Sequence, residues 1–251
     1  MENKMGYECN SNMDDKAIVA YCDLLGFSSF IKSNTLQEAV NFLANMKKGI
    51  EVYFEKYTSS QQKDDKIGII SISDSVIIYS IKDNEASHWK VIIAAYALLA
   101  KTIKHPQYRW RIGISYGDFF CDEKKNIYVG KALVEAHELE KKQDWCGAVL
   151  SKTAAEKVLA IPATKTEHLI VLYDVPVKNG HSELYHVINW TRARHDTIKK
   201  SYGWLERGYA IPVNKEQEEI EHKLKNTEKF HLEKCVQCRA YWNNLKNSDR
   251  S

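Results

Sequence analysis

Two apolar segments decide the fold: residues 17–27 (AIVAYCDLLGF) and residues 67–80 (IGIISISDSVIIYS). Both have the Ile, Val and Tyr content of buried strands, and each carries a single aspartate, Asp23 in the first and Asp74 in the second. A carboxylate in an otherwise buried run costs several kcal/mol unless something satisfies it. Two such residues on neighbouring strands suggest a shared cation, and oxygen ligands suit Mg²⁺ or Mn²⁺.

The composition describes an ordinary globular protein. The chain has 251 residues, of which 44% are hydrophobic and 27% charged, and its formal net charge is +3. A charge this small gives no argument for a nucleic-acid or membrane partner. The N-terminus lacks the pattern of a secretory signal, and the longest apolar run, residues 91–100, is about half the roughly 20 residues of a membrane span. We therefore expect a cytoplasmic protein.

The order of the segments predicts an α+β protein. The first six elements, β-α-β-β-α-β, match the ferredoxin-like split unit, and further α/β elements, α-β-α-β-β, follow. We expect helices on one face of a largely antiparallel sheet, which leaves the other face for a partner. The predicted strands are 16–21, two strands of a hairpin meeting at 73–74, 110–120, 148–150, 169–173 and 183–188. The predicted helices are 36–57, 86–103, 130–142 and 153–159.

The composition changes near both ends of the chain. Residues 1–15 are polar and predicted to be flexible, and residues 16–190 form the main domain. Residues 191–251 form a charged helical extension, in which Ile220, Leu224 and Phe230 make one thin apolar stripe. That pattern fits a solvated or dimer-bridging helix, and equally a surface helix laid over the main domain. The CxxC at 235–238 is isolated, which makes it weak evidence for zinc.

Four segments then fall into an order that resembles the class III nucleotidyl cyclases, the catalytic domains of adenylate and guanylate cyclases. An aromatic-x-Asp-x-x-Gly-Phe-Ser opening, a hairpin with the second aspartate, an Arg-x-Gly-Ile-x-x-Gly strand and a glycine-initiated helix are the shared features. They correspond to residues 21–28, 72–75, 111–117 and 130–133. The resemblance covers residues 16–190 and implies the class III cyclase fold and a homodimer. Each active site would lie across an interface made by the sheet face and the helix from Gly130.

The resemblance assigns roles to particular residues. It implies that Asp23 and Asp74 are catalytic and bind two divalent cations, Mn²⁺ or Mg²⁺, with the Leu24 carbonyl as a further ligand. The backbone N–H groups of a glycine-led turn ahead of the first helix would bind the substrate triphosphate; this turn comprises Gly26, Phe27 and Ser28. The reaction would be attack of the ribose 3′-oxygen on the α-phosphorus with loss of pyrophosphate. Taken singly, Asp23 would also suit a helix N-cap and Asp74 a turn.

The chain departs from the purine-selective members at the positions that read the base. Ile70 and Ile127 stand where those members carry polar side chains. A site distinguishes one base from another by its polar contacts with the base edge, and a purine would leave those contacts unmet here. We therefore expect ATP and GTP to be poorly recognised. Val134 and Glu138 stand where the family has its transition-state Asn and Arg, and neither is suitable. The chemistry is then done without those two residues, or catalysis is weak or absent.

The segment 130–140 (GKALVEAHELE) instead resembles the pyrimidine cyclases of bacterial anti-phage (Pycsar) systems. That branch converts UTP or CTP to a 3′,5′-cyclic monophosphate, which activates a separate effector protein without a stable complex. Arg111 is our candidate for reading the base, because uracil and cytosine both present an O2 acceptor; a surface strand residue is the alternative. An adenylate or guanylate cyclase, or an inactive cyclase-like nucleotide-binding module, remain the competing functions.

Overall fold

The structure, a computed structural model, describes residues 15–58, 67–104, 109–162 and 169–189. Its strands are β1 (Lys16–Leu24), β2 (Ile67–Ile72), β3 (Ser75–Ser80), β4 (Trp110–Asp118), β5 (Phe120–Asp122), β6 (Ile127–Val129), β7 (Gly147–Leu150), β8 (Ile170–Pro176) and β9 (Ser182–Ile188). Its helices are α1 (Phe27–Ser33), α2 (Leu36–Thr58), α3 (Glu85–Lys104), α4 (Lys131–Lys142) and α5 (Lys152–Leu159).

Seven strands form one sheet in the order β2-β3-β1-β4-β7-β9-β8, and β5 pairs with β6 in a separate hairpin. All neighbours in the large sheet are antiparallel except β4 and β7. The central strand β1 lies between β3 and β4, as the split β-α-β-β-α-β unit requires. The predicted fold class is confirmed, with α4, β7, α5, β8 and β9 as the added C-terminal elements.

The sheet is covered on both faces, so the prediction that all helices lie on one face was wrong. Alternate residues of β1 point to opposite sides: Ile18, Ala20 and Cys22 pack in the core that α3 and α5 cover. Ala17 and Val19 face the other side and pack in a smaller cluster with Ala132 of α4. The close approach of α4 depends on Gly113 of β4, because a side-chain carbon there would overlap the carbonyl oxygen of Ala136.

The sequence pattern missed α1 and predicted the buried side of α2 only in part. The three- and four-residue spacing of apolar residues in 36–57 predicts that Leu36, Val40, Leu43 and Met46 face the core, yet Leu36 and Val40 are 82% and 51% exposed. Met46 is buried and Leu43 packs on the core as predicted, and Ala39 and Phe42 join them. The reason is α1, whose Phe27 and Phe30 contact the Phe42 ring and so rotate the contact surface of α2 towards the 39–42–46 side.

The remaining differences are at element boundaries. The predicted strand 110–120 divides at Phe119 into β4 and β5, and β6 was missed because it has only three residues. The N-terminal segment up to residue 14 and the residues from 190 onward, including the apolar stripe and the CxxC, lie outside the described residues. Among the helices that the structure describes, none combines the length and apolar character needed to span a membrane.

Candidate functional site

Asp23 and Asp74 are brought together by the pairing of β1 with the β2–β3 hairpin. Asp23 lies opposite Ser75 in the β1–β3 register, and the Leu24 N–H donates a hydrogen bond to the Asp74 carbonyl oxygen at 3.1 Å. Asp74 occupies the two-residue hairpin turn, after Ser73 in the left-handed region at φ 54°. Asp23 lies within β1, so it is not a helix N-cap. The two half-buried aspartates are therefore neighbours, as the sequence suggested.

Asp23 carries a charge that its surroundings do not fully compensate. Burial, together with the negative charges of Glu140 and Asp74, raises the pKa of Asp23 to about 6, although the Arg111 guanidinium opposes the shift. A nearby cation would stabilise the ionised form of Asp23, because it would offset both the cost of burial and the repulsion from Asp74. Two adjacent carboxylates with excess negative charge fit a divalent ion with oxygen ligands.

Asp23 and Asp74 would supply only part of the ligands of a divalent ion. Within the described ranges, no group of three or more His, Cys, Asp and Glu side chains lies close enough to hold a metal ion. An ion bound by Asp23 and Asp74 would complete its coordination with backbone carbonyls, water or substrate phosphates, which is the usual pattern for Mg²⁺. Leu24 is buried and belongs to β1, next to Asp23.

Arg111 lies directly beside Asp23, opposite it in the β1–β4 register. Its side chain is buried, so the alternative of a surface strand residue was wrong. One terminal nitrogen, Nη2, is 3.4 Å from Asp23 Oδ2, and Nε donates a short hydrogen bond to Glu140 Oε1. The guanidinium thus connects α4 to the aspartate pair. Its role in reading the base stays a prediction. The contacts with Asp23 and Glu140 leave fewer of its N–H groups for a base.

Glu140 and Gln143 are the residues that sequence reasoning missed. Glu140 is 2% exposed, near the end of α4, and Gln143 is buried just beyond the helix. The Gln143 carbonyl lies 3.5 Å from Arg111 Nη1, and its side-chain amide donates to the Ile112 and Leu139 carbonyls at 2.9 Å each. Trp145 Nε1 donates to Gln143 Oε1 at 2.8 Å, which completes the bonding of that amide.

The proposed triphosphate-binding turn lies at the start of α1. Gly26 adopts φ 88° in the left-handed region, where a glycine is favoured, and its carbonyl accepts a hydrogen bond from the Phe30 N–H. Phe27 is buried and Ser28 is exposed. Gly26 follows β1 by two residues, so β1 positions both Asp23 and this turn. Binding of phosphate by Gly26, Phe27 and Ser28 stays a prediction.

Other positions singled out from the sequence lie on different elements. Ile70 lies on β2 and is half-buried, Ile127 lies on β6 and is exposed, and Val134 is an exposed residue of α4. On the same helix, His137 packs its ring against Tyr21 of β1, with 4.7 Å between ring centroids. Helix α4 therefore contacts β1 through His137 and Tyr21, and it contacts β4 through Glu140 and Arg111.

The comparisons with known proteins agree with the fold. The catalytic core of a rhodopsin-guanylyl cyclase with converted specificity, solved with ATPαS, superposes with a TM-score of 0.54 at 13% identity. The match covers 70% of this chain and 96% of that one. The chain has the class III cyclase fold. An adenylate cyclase from Trypanosoma brucei, solved in its monomeric state, gives 0.52 at 11% identity over 73% and 93% of the two chains. No family model and no curated protein matches the sequence.

Proposed function

We propose that this protein is a nucleotidyl cyclase that converts UTP or CTP to the 3′,5′-cyclic monophosphate and pyrophosphate. The observation that carries the proposal is the placement of Asp23 and Asp74 as neighbours on a class III cyclase fold, with unmet negative charge on Asp23. In the reaction, the ribose 3′-oxygen forms a bond to the α-phosphorus. The bond from that phosphorus to the oxygen bridging to the β-phosphate breaks, and the hydroxyl proton passes to water.

The chain's own residues would bind and orient the triphosphate. Asp23 and Asp74, with the Leu24 carbonyl, would hold two divalent ions, Mn²⁺ or Mg²⁺. Such ions lower the pKa of a bound hydroxyl and neutralise the charge that develops on phosphate oxygens. The turn at Gly26, Phe27 and Ser28 would donate backbone N–H groups to the phosphates. Fixing the 3′-oxygen against the α-phosphorus is then the main contribution of the protein.

The preference for a pyrimidine rests on the two apolar residues at the base-reading positions. Ile70 and Ile127 offer no hydrogen bond to a purine edge, so a purine gains no polar contact from them. Arg111 would supply donors to the O2 of either pyrimidine, which does not separate UTP from CTP. A second donor near the base would favour UTP, since uracil carries an O4 acceptor where cytosine has an amino group.

We infer that the active form is a homodimer and that the product acts on a separate effector protein, as in the anti-phage (Pycsar) systems. Exposed apolar side chains on α4 and on the edge strand β2 support self-association; they are Val134 and Ile72. A freely diffusing cyclic nucleotide explains why no stable complex with an effector is required. This role places the protein in the cytoplasm, without a nucleic-acid or membrane partner.

Two other functions are open to the same fold. An adenylate or guanylate cyclase would have to read its purine through residues other than Ile70 and Ile127. A cyclase-like module that binds nucleotide without turnover is favoured by Val134 and Glu138, since neither side chain can stabilise the transition state as Asn and Arg would.

One assay separates these functions. The purified full chain is incubated with Mn²⁺ and each of the four ribonucleoside triphosphates, and the products are resolved by chromatography and mass. Cyclic UMP or cyclic CMP supports the proposal, cyclic AMP or cyclic GMP supports a purine cyclase, and no product supports the binding module.

Asp74→Ala should abolish turnover without unfolding the protein, because the half-buried Asp74 lies in a turn and its side chain is not part of the core. Thermal unfolding followed by circular dichroism provides the check on folding. Retention of full cyclase activity in this variant would remove Asp74 from the mechanism.

A further inference from the structure

A buried chain of charges runs from α4 to the aspartate pair. Glu140 of α4 accepts a hydrogen bond from Arg111 Nε, and the same guanidinium reaches Asp23 Oδ2 at 3.4 Å through Nη2. Arg111 is therefore shared by two carboxylates. Nε forms a hydrogen bond with Glu140, whereas the 3.4 Å contact with Asp23 is at the long limit for a hydrogen bond, so the guanidinium is bound chiefly to α4.

The way in which Arg111 is shared decides how much negative charge remains on the aspartate pair. The Glu140 carboxylate largely balances the positive charge of Arg111 on the α4 side. Asp23 then keeps a net negative environment, to which Asp74 contributes, and among the described residues the exposed Lys178 adds some positive charge nearby. If a neutral side chain replaced Glu140, the guanidinium would balance Asp23 instead. Arg111 would then compete with any cation that binds there.

The supporting residues make this arrangement rigid. The Gln143 carbonyl faces Arg111 Nη1, and the Gln143 amide is fixed by the Ile112 and Leu139 carbonyls and by Trp145. Arg111 and Glu140 have side chains that are only 9% and 3% exposed, so water screens their interaction little. The guanidinium is held at a fixed position between α4 and β1.

We propose that Glu140 is a positioning residue that holds Arg111 on α4 and thereby keeps the Asp23–Asp74 pair available to a divalent cation. The proposal rests on the function proposed above, since it assumes that the pair binds such a cation. It adds a residue outside the acidic pair that controls the affinity for the ion. Partners that orient metal ligands typically alter metal affinity about 10- to 100-fold when they are replaced.

The test is Mn²⁺ binding to the full chain without nucleotide, measured from the loss of the free-ion signal in electron paramagnetic resonance. Glu140→Gln keeps the size and the acceptor oxygen but removes the charge, and it should weaken Mn²⁺ binding about 10-fold or more. Glu156→Gln is the matched control. It makes the same change on the exposed surface of α5, on the other face of the sheet, and should leave binding unchanged.

A double variant separates competition by Arg111 from simple damage to the fold. Adding Arg111→Met to Glu140→Gln removes the competing guanidinium, so Mn²⁺ affinity should return at least to that of the original protein. If the double variant binds as weakly as Glu140→Gln alone, the positioning role is overturned. Unchanged binding in Glu140→Gln overturns it as well.

Asp74→Asn distinguishes failure of this inference from failure of the proposed function. If Asp74→Asn loses Mn²⁺ and Glu140→Gln does not, the acidic pair stands and only the positioning role is wrong. If the original protein binds no Mn²⁺, or Asp74→Asn binds it as well as the original, the metal site and the positioning role are both wrong.

Discussion

At the scale of single residues, the charge on Asp23 opposes folding when no cation is bound. The pKa of Asp23 is raised to about 6 from an ordinary 3.8, so the folded state holds this proton more tightly than the unfolded chain does. The stabilising contribution of the protonated group is complete below the unfolded pKa and is lost as the pH rises through about 6. Part of the fold's stability is thus given up in order to keep a charged carboxylate in this place.

Asp23→Asn should therefore stabilise the metal-free protein at pH 8, because the amide resembles the protonated acid. The gain should shrink as the pH falls through about 6 and approach zero below 3.8, where Asp23 itself is protonated in both states. The measurement is the melting temperature of both proteins in EDTA across that range. A gain that does not vary with pH, or a loss of stability at pH 8, would show that Asp23 is compensated by other groups.

Arg111→Ala should have the opposite effect on stability, because it leaves Glu140 buried without its partner. Breaking a buried ion pair from one side costs about 3–5 kcal/mol of unfolding free energy. Urea denaturation measures the loss. Replacing both partners by apolar residues, Arg111→Met with Glu140→Leu, should recover most of it. If Arg111→Ala is as stable as the original protein and raises only the nucleotide KM, Arg111 is a base-reading residue and not part of a buried network.

Among the residues of the site, the sequence alone indicated Asp23 and Asp74 but not Glu140. Asp23 and Asp74 were found because each interrupts an apolar run, a signal that is visible locally. Glu140 was not found, because it lies among other charged residues of an amphipathic helix, and its partner is 29 positions away. Burial of a charged side chain through a long-range pair leaves no local trace in the sequence. Only the packing of α4 on β4 reveals it.

At the scale of elements, the position of α4 depends on the glycines of β4. A side-chain carbon at Gly113 would overlap the backbone of α4 at Ala136, whereas one at Gly117 would lie 3.8 Å from the Ala132 nitrogen, an ordinary contact. The two positions differ by four residues on one strand. They provide a direct comparison of how closely α4 must pack.

Gly113→Ala should displace α4, lower the melting temperature by several degrees and weaken any activity that depends on Glu140. Gly117→Ala should change the melting temperature and the activity little, because the atom nearest to the added methyl group, the Ala132 nitrogen, is 3.8 Å away. Thermal unfolding and Mn²⁺-dependent turnover of both variants provide the comparison. Equal tolerance of the two substitutions would contradict the close packing of α4 on β4.

The elements also show what periodicity can and cannot predict. The hairpin of β2 and β3 and the helices α3, α4 and α5 were predicted almost at their observed bounds, because each has a clear period and a clear stop. Helix α1 has only seven residues and no capping side chain, so nothing in its sequence announced it. Its aromatic residues contact Phe42, and the packing of Phe42 on the core is a feature that the periodicity of α2 did not predict.

At the scale of the whole molecule, we expect the protein to self-associate. Val134 of α4 and Ile72 of β2 are 57% and 61% exposed, which is unfavourable for apolar side chains that remain in water. Sedimentation velocity should show a dimer, and Val134→Asp should shift it towards monomer with loss of turnover. A fully active monomer would contradict the shared active site that we propose.

A divalent cation held by Asp23 and Asp74 is the central element of the proposed function, and one diffraction measurement tests for it. A crystal of the full chain grown with Mn²⁺ and a non-cyclisable UTP analogue is measured at the manganese absorption edge. We expect an anomalous peak between the carboxylates of Asp23 and Asp74, next to the α-phosphate of the analogue. At saturating Mn²⁺, a map with no peak between those two carboxylates would contradict it.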